Sequence, residues 1–490
     1  MYYSIKACPA VDHLPLISIM KNITKEPDKK KDWYRLKQYP HIGLQLASSD
    51  RVWIESYVKN TDKVEKHAFF PFIHRKLEVR KFRKEICDDG TRSKLRKPTS
   101  KTREIYYSNH LDSNIYSYYA EILSKEYEKR LSENGISDCV TAYRRVKIDP
   151  KNSKARNKCN IDFANDVFSY IKKSNINELV VITFDIKSFF DNLDHKKLKK
   201  LWRYVIQSGL DLPNDHYNVF RNITKFSYIE EDELFNEFKS QILVERNPEI
   251  IKNIKVKKKS YLRNKRAVAY CKKEDIEVLR NKNLIKSNKY FFESGAIQGI
   301  RNKGIPQGSP ISAILANIYM IDFDKSANDL LTSVGGVYRR YSDDMVAICK
   351  AEKEKDIIDY FLNTIKEYCL EIQKAKTQVF HFLKNEKENR YYCSEKNLNT
   401  NRLQNNTNFE YLGFQFDGHY TLLKSSSIAS YYRKMKRSFA RGKFYTLHNK
   451  TKLKGELFKS RLYKRFTYLG SNRRRIYMRD KNHESNVHEI

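Results

Sequence analysis

The chain has 490 residues, 40% hydrophobic and 31% charged, a composition that excludes disordered and fibrous classes and leaves room for about three domains of ordinary size. Lys and Arg total 95 against 59 Asp and Glu, a net charge of +36, so its surface suits a polyanion, nucleic acid before a membrane. None of the eight cysteines stands in a C-x-x-C pair, which argues against a zinc ribbon or redox dithiol and fits free thiols in a reducing cytoplasm; no apolar run reaches membrane-span length, and the N-terminus lacks a signal-peptide pattern.

In chain order, residues 1–90 read as an N-terminal extension in which HAFFPFIHRKLEVRKF passes from apolar to basic. RSKLRKPTSKTREIYYS is a basic stretch that becomes β-like at Ile105–Tyr107. Next, Ile115, Tyr119, Ile122, Leu123, Tyr127 and Leu131 recur at helical spacing, and Asn134–Gly135 stops the helix. Leu179–Phe184 is a continuous, β-branched apolar run, the pattern of a buried strand, and it ends at Asp185. LDHKKLKKLWRYV then reads as a helix. Residues 206–300 are the least legible; ERNPEIIKNIKVKKKSYLRNKRAV within them is either a solvated charged face or a nucleic-acid contact.

SPISAILANIYMIDFDKSAND predicts one helix. GGVYRRYSDDMVAICK predicts strand, tight turn, strand, with Ser-Asp-Asp at the tip. KDIIDYFLNTIKEYCLEI is an amphipathic helix, FEYLGFQFD a strand and turn, and the tail from Ser425 is helical and very basic. The order predicts an α+β fold, an antiparallel sheet with helices on one side.

Three carboxylates stand out. Nucleotidyl transfer needs a 3′-oxygen activated and a pyrophosphate neutralised, and two Mg²⁺ ions about 3.5–4 Å apart do both. Mg²⁺ takes hard oxygen ligands and keeps several waters, so a few carboxylates on rigid elements suffice. Asp185 at a strand end and Asp343 and Asp344 at a hairpin tip have those settings, although singly an Asp after a strand is commonly a helix cap and an Asp pair between strands a turn.

Together they resemble a known family. FDIKSFFDNLDH around Asp185 looks like motif A of reverse transcriptases, GIPQGSPISAILANIYM (304–320) like motif B, and YSDD (341–344) like the Tyr-x-Asp-Asp signature of motif C. LEIQKAKTQVF looks like motif D, FEYLGFQF (409–416) like the primer grip of motif E, and RKPTSKTREIYYS and TAYRRVK like the fingers motifs ahead of motif A. The resemblance covers about residues 90–420, and within the family it is nearest to bacterial defence-associated enzymes, the unknown-group and abortive-infection lineages.

It implies a right-hand polymerase: fingers at 91–178, a palm at 179–424 with an insertion at about 206–300, and a basic helical thumb or C-terminal region at 425–490. Asp185, Asp343 and Asp344, with the Ile186 carbonyl, become the metal ligands for Mg²⁺, with Mn²⁺ a possible substitute. Phe190 becomes the steric gate against a 2′-OH. Arg144, Lys101, Arg103, Gln307 and Gly308 become nucleotide-binding residues. Lys376 becomes the candidate acid for the pyrophosphate leaving group. Without the motifs, Phe190 reads as core and the Lys and Arg side chains as surface charges.

The implied function is RNA-templated DNA synthesis from dNTPs in the cytoplasm, with a dedicated non-coding RNA as template and antiphage defence as its setting. A membrane is not expected as a partner, and homo-oligomerisation stays open. A retron-like or group II intron-like enzyme, or a vestigial RNA-binding scaffold, is the alternative. The primer is left open between an RNA 3′-end, a protein hydroxyl, for which Tyr431, Tyr432, Tyr468 and Tyr477 are candidates, and another primer.

Overall fold

The computed structural model describes residues 32–86, 92–152, 154–247, 250–287, 289–291, 297–448 and 459–467. The apolar run before Asp185 becomes a strand, Glu178–Asp185, inside a six-stranded sheet. Its neighbours are Asp344–Lys350 on one side and Gln378–Asn385 on the other. Val337–Tyr341 extends the sheet at one end; Arg390–Lys396 and Leu403–Gln404 extend it at the other. All five pairings are antiparallel.

Side chains alternate across a strand, and here both faces are buried. Val180, Ile182 and Phe184 enter a core with the helices His110–Glu133, His195–Ile206, Ser312–Tyr319, Ile321–Ser333 and Glu354–Glu367. Leu179 and Val181 enter a second core with the helix Asn160–Lys173 and with Phe409, Tyr411 and Phe416. The expected α+β class stands, but helices cover both faces rather than one. That is why Leu179–Phe184 carries no polar residue except Thr183.

The segment SPISAILANIYMIDFDKSAND forms two helices, Ser312–Tyr319 and Ile321–Ser333, broken at Met320. Ser309 and Pro310 lie in the turn ahead of the first helix rather than in it. The basic stretch before Ile105 is not a loop. Phe72–Ile86 and Arg92–Tyr107 pair as one long antiparallel ribbon, with Phe82 opposite Pro98. Proline is tolerated there because a two-stranded ribbon is all edge. The boundary expected at residue 90 falls between these two paired strands, so the N-terminal extension supplies half of the ribbon.

Residues 227–287, within the insertion expected at about 206–300, build structure with the ribbon. Ser227–Glu230 joins the ribbon as a parallel strand beside Phe72–His74. A four-stranded sheet runs His41–Ile42, Ala267–Cys271, Ile242–Asn247, Ile250–Ile254. Its core includes Ile73 of the ribbon, Leu234, Phe238 and Tyr270. The tail is helical at Ser425–His448 and Lys459–Phe466. Among the described residues no helix is long and apolar enough to cross a membrane.

Candidate active site

Sheet register brings the carboxylates to one place. Asp344 opens its strand directly opposite Asp185, which closes the neighbouring strand. The Ile186 amide donates to the Asp343 carbonyl at 3.1 Å. Ser342 and Asp343 form a two-residue hairpin loop closed by the Tyr341–Asp344 pair. Such loops need positive φ to match strand twist, and Ser342 takes φ 60°. A serine held left-handed stores about 1 kcal/mol or more of strain, of the kind found at functional sites.

Packing at the tip, followed by the charges of Asp343 and Asp185, pushes the Asp344 carboxyl up to about 6. Asp344 nevertheless stays exposed to water, so repulsion within the trio is the more durable part of that rise. One cation already answers it: Lys376 Nζ lies 2.6 Å from Asp185 Oδ1, with both side chains partly exposed. Among the described residues no three His, Cys, Asp or Glu side chains converge closely enough to hold a metal ion, and Asp185 is engaged by Lys376. The donor set still suits Mg²⁺, which accepts one or two carboxylates and fills its remaining positions with water.

A buried network that the sequence reading missed holds the hairpin tip. Arg340 is fully buried. Its Nε and Nη2 donate to Asp324 at 2.7 and 2.6 Å, and its Nη1 donates to Asn317 Oδ1 and to the Ser342 carbonyl, each at 3.1 Å. Tyr338 also donates to Asp324, at 2.9 Å. Asn317 reaches on to the Ala142 carbonyl at 2.9 Å, and Thr141 N bonds the Arg340 carbonyl at 2.9 Å. The turn that carries Asp343 is thus tied to the helix after PQGSP and to the TAYRR segment. A signal was present: Asp324 stands three residues from both Ile321 and Ala327, on the apolar face of its helix.

Backbone contacts join the Asp185 and PQGSP segments. Gly304 N bonds Leu193 O at 2.8 Å and Ile305 N bonds Phe190 O at 2.9 Å. His195 Nε2 donates to the Gly304 carbonyl at 2.7 Å; burial holds this imidazole below its usual pKa. Phe190 is half-buried beside Phe189, at the edge of the main core.

Gln307 and Gly308 are exposed, and they meet the foot of the ribbon: Tyr106 N bonds Gln307 O at 2.8 Å. A Cβ on Gly308 would come within 2.7 Å of the Tyr106 carbonyl, at φ 120°. The close approach at Gly308 is therefore to the protein's own ribbon. Arg103 and Lys101 are exposed on that strand, about 10 and 16 Å beyond Tyr106 at strand rise. Arg144 departs from expectation. Its guanidinium is taken up by Glu128, at 2.8 and 2.6 Å, and by the Ser137 and Val140 carbonyls, which leaves no free fork for a triphosphate.

Residues 254–416 match the family model for reverse transcriptase (RNA-dependent DNA polymerase). Those residues are similar to a reverse transcriptase domain. Reverse transcriptases are nucleotidyltransferases that copy RNA into DNA, and the match takes in PQGSP, YSDD, Lys376 and the 409–416 hairpin. Asp185 lies outside the matched residues and is brought beside them by strand pairing with Asp344.

No curated protein matches the chain. Among solved structures, it is similar to apo telomerase from Candida tropicalis truncated from its C-terminal domain, at 12% identity and TM-score 0.37, covering 75% of this chain and 59% of that one. It is also similar to telomerase from Candida albicans in complex with a TWJ fragment of telomeric RNA, at 13% identity and TM-score 0.37, covering 93% of this chain and 65% of that one. The chain spans less than two thirds of the length of either.

Proposed function

We propose that the protein is an RNA-templated DNA polymerase that adds dNTPs by two-metal catalysis at Asp185, Asp343 and Asp344. The observation that carries this reading is the register of Asp344 against Asp185, which unites motif A with the motif C carboxylates. Bound Mg²⁺ would polarise the reacting phosphate and lower the pKa of the primer 3′-hydroxyl.

The chain's own residues do the rest. The three carboxylates, with the Ile186 carbonyl, would supply the protein ligands of the metal, water filling the remaining positions. The Arg340 network fixes the turn that presents Asp343. Phe190 crowds the position of a ribose 2′-OH and so favours deoxynucleotides. Gln307 and Gly308 face the incoming nucleotide, and Arg103 and Lys101 on the ribbon attract its phosphates. Lys376, whose Nζ lies 2.6 Å from Asp185 Oδ1, would donate a proton to the departing pyrophosphate.

The form of motif B and the TAYRR element support placement among bacterial defence enzymes, with a dedicated non-coding RNA as template and the cytoplasm as the working compartment. The experiment is to sequence DNA made by the purified protein with its co-purifying RNA, with and without RNase treatment beforehand. Products complementary to one bound RNA, and abolished by RNase, are expected. DNA synthesis that is unaffected by RNase and complementary to no bound RNA would overturn the templating claim.

A further inference from the structure

Residues 250–266 contain eight Lys or Arg and no Asp or Glu. The first five form the edge strand Ile250–Ile254, and the rest form a loop and turn ahead of Ala267–Cys271. Lys252, Lys255, Lys257, Lys258, Arg263 and Lys265 are exposed, and none makes an ion pair with a described residue. Tyr261 stands exposed among them. A solvated charged face usually mixes signs, because unopposed like charges repel; this one has nothing within itself to offset its charge. Unpaired cations beside an exposed ring suit phosphates flanked by unstacked bases.

The ribbon is the second basic segment. Residues 76–103 hold eleven Lys or Arg and four Asp or Glu; Lys76 is exposed, and Lys101 and Arg103, assigned above to the incoming nucleotide, are not needed for this face. From Lys76 to Ile86 it reaches about 35 Å at strand rise, comparable to one turn of a nucleic-acid duplex.

One buried carboxylate ties the two segments together. Glu231 is 1% exposed. It accepts from Arg75 Nε at 2.8 Å and from Arg75 Nη2, at the ribbon's foot. It also accepts from Tyr107 at 3.1 Å and Tyr270 at 2.9 Å. Lys259 Nζ, from the basic loop, is 3.0 Å away. The same ribbon foot bonds Gln307 through Tyr106.

We propose that the basic loop 252–266 and the ribbon form one RNA-binding face, separate from the carboxylate end of the palm sheet and held together by Glu231. It would grip the phosphate backbone of a structured RNA. Choosing RNA over another polyanion rests on the function proposed above.

The test is binding of the full-length protein to a long RNA hairpin, followed by fluorescence anisotropy across a salt series. Lys252→Glu, Lys257→Glu and Lys258→Glu are combined in one variant. Lys325→Glu, Lys355→Glu and Lys366→Glu make the same charge change on the helices Ile321–Ser333 and Glu354–Glu367. Losing three phosphate contacts should lower the slope of log K against log salt by about 2 in the first variant and not in the second. Equal losses in both, or no loss in the first, would overturn the proposal. Glu231→Gln, with folding confirmed by circular dichroism, should also weaken hairpin binding; wild-type affinity would refute the coupling. Primer extension on a short oligonucleotide template should stay at the wild-type level in the loop variant. Absence of extension by the wild-type protein would instead count against the polymerase reading, so the two failures are distinguishable.

Discussion

Replacing Arg340 by Met separates what the buried network does for stability from what it does for the site. Arg340 and Asp324 are both fully buried. Removing the guanidinium leaves the Asp324 carboxylate, among the described residues, with only the Tyr338 hydroxyl and strips the Ser342 carbonyl of its donor. Breaking a buried pair from one side costs about 3–5 kcal/mol, a large part of the 5–15 kcal/mol typical of a domain. Urea denaturation should therefore show a midpoint well below wild type. Adding Asp324→Leu removes the stranded charge, and apolar replacement of a buried pair is commonly near neutral. The double variant should recover most of the stability. It should not recover DNA synthesis, because Ser342 still lacks its tether and Asn317 still lacks its partner. A double variant as unstable as Arg340→Met would refute the electrostatic argument, and one that is stable and fully active would refute the positioning role.

Gly308→Ala should cost about 1–3 kcal/mol through its positive φ alone, and its Cβ should push the ribbon foot from Tyr106; a thermal melt and a synthesis assay that both match wild type would refute this. Phe190→Ala should relax discrimination against rNTPs, read as the ratio of dNTP to rNTP incorporation. His381 lies 2.9 Å from Glu178 and 3.0 Å, poorly aligned, from Glu354; its pKa is raised, first by Glu354 and then by Glu178 against the effect of burial. Its contribution is thus full below the unfolded pKa of about 6.5 and lost as pH rises through the folded value, a pH dependence of stability that His381→Gln should abolish. If a protein hydroxyl primes synthesis, labelled DNA should change mobility after protease and not after RNase. Tyr431 and Tyr432 are both exposed, and Tyr432 is the stronger candidate because the Tyr431 hydroxyl donates to Phe466 O at 2.7 Å; Tyr468 and Tyr477 lie outside the described residues.

The palm was legible because its signals are local. A continuous apolar run before Asp185 and a two-residue tip between strands dictate strand pairing, and pairing dictates where Asp185 and Asp344 meet. The ribbon was half legible: a β-like run at Ile105–Tyr107 was visible, but Ser100–Glu104 ahead of it is exposed on both faces, so burial left no period to read there. The 227–287 sheet was not legible, because it borrows His41–Ile42 and Ile73 from sequence far away. Arg144 misled for the opposite reason. Its motif position pointed to a ligand, while Glu128, one helix earlier, claimed its donors.

The central claim is that Asp185, Asp343 and Asp344 form a metal-dependent DNA-synthesising site. Incorporation of labelled dNTPs on an RNA template, with Mg²⁺ and then with chelator, tests it most directly. Wild-type protein should incorporate only with the divalent metal, and Asp185→Asn, Asp343→Asn or Asp344→Asn should each reduce incorporation by several orders of magnitude while leaving RNA binding intact. Synthesis undiminished in the Asp→Asn variants, or undiminished by chelator, would contradict the account.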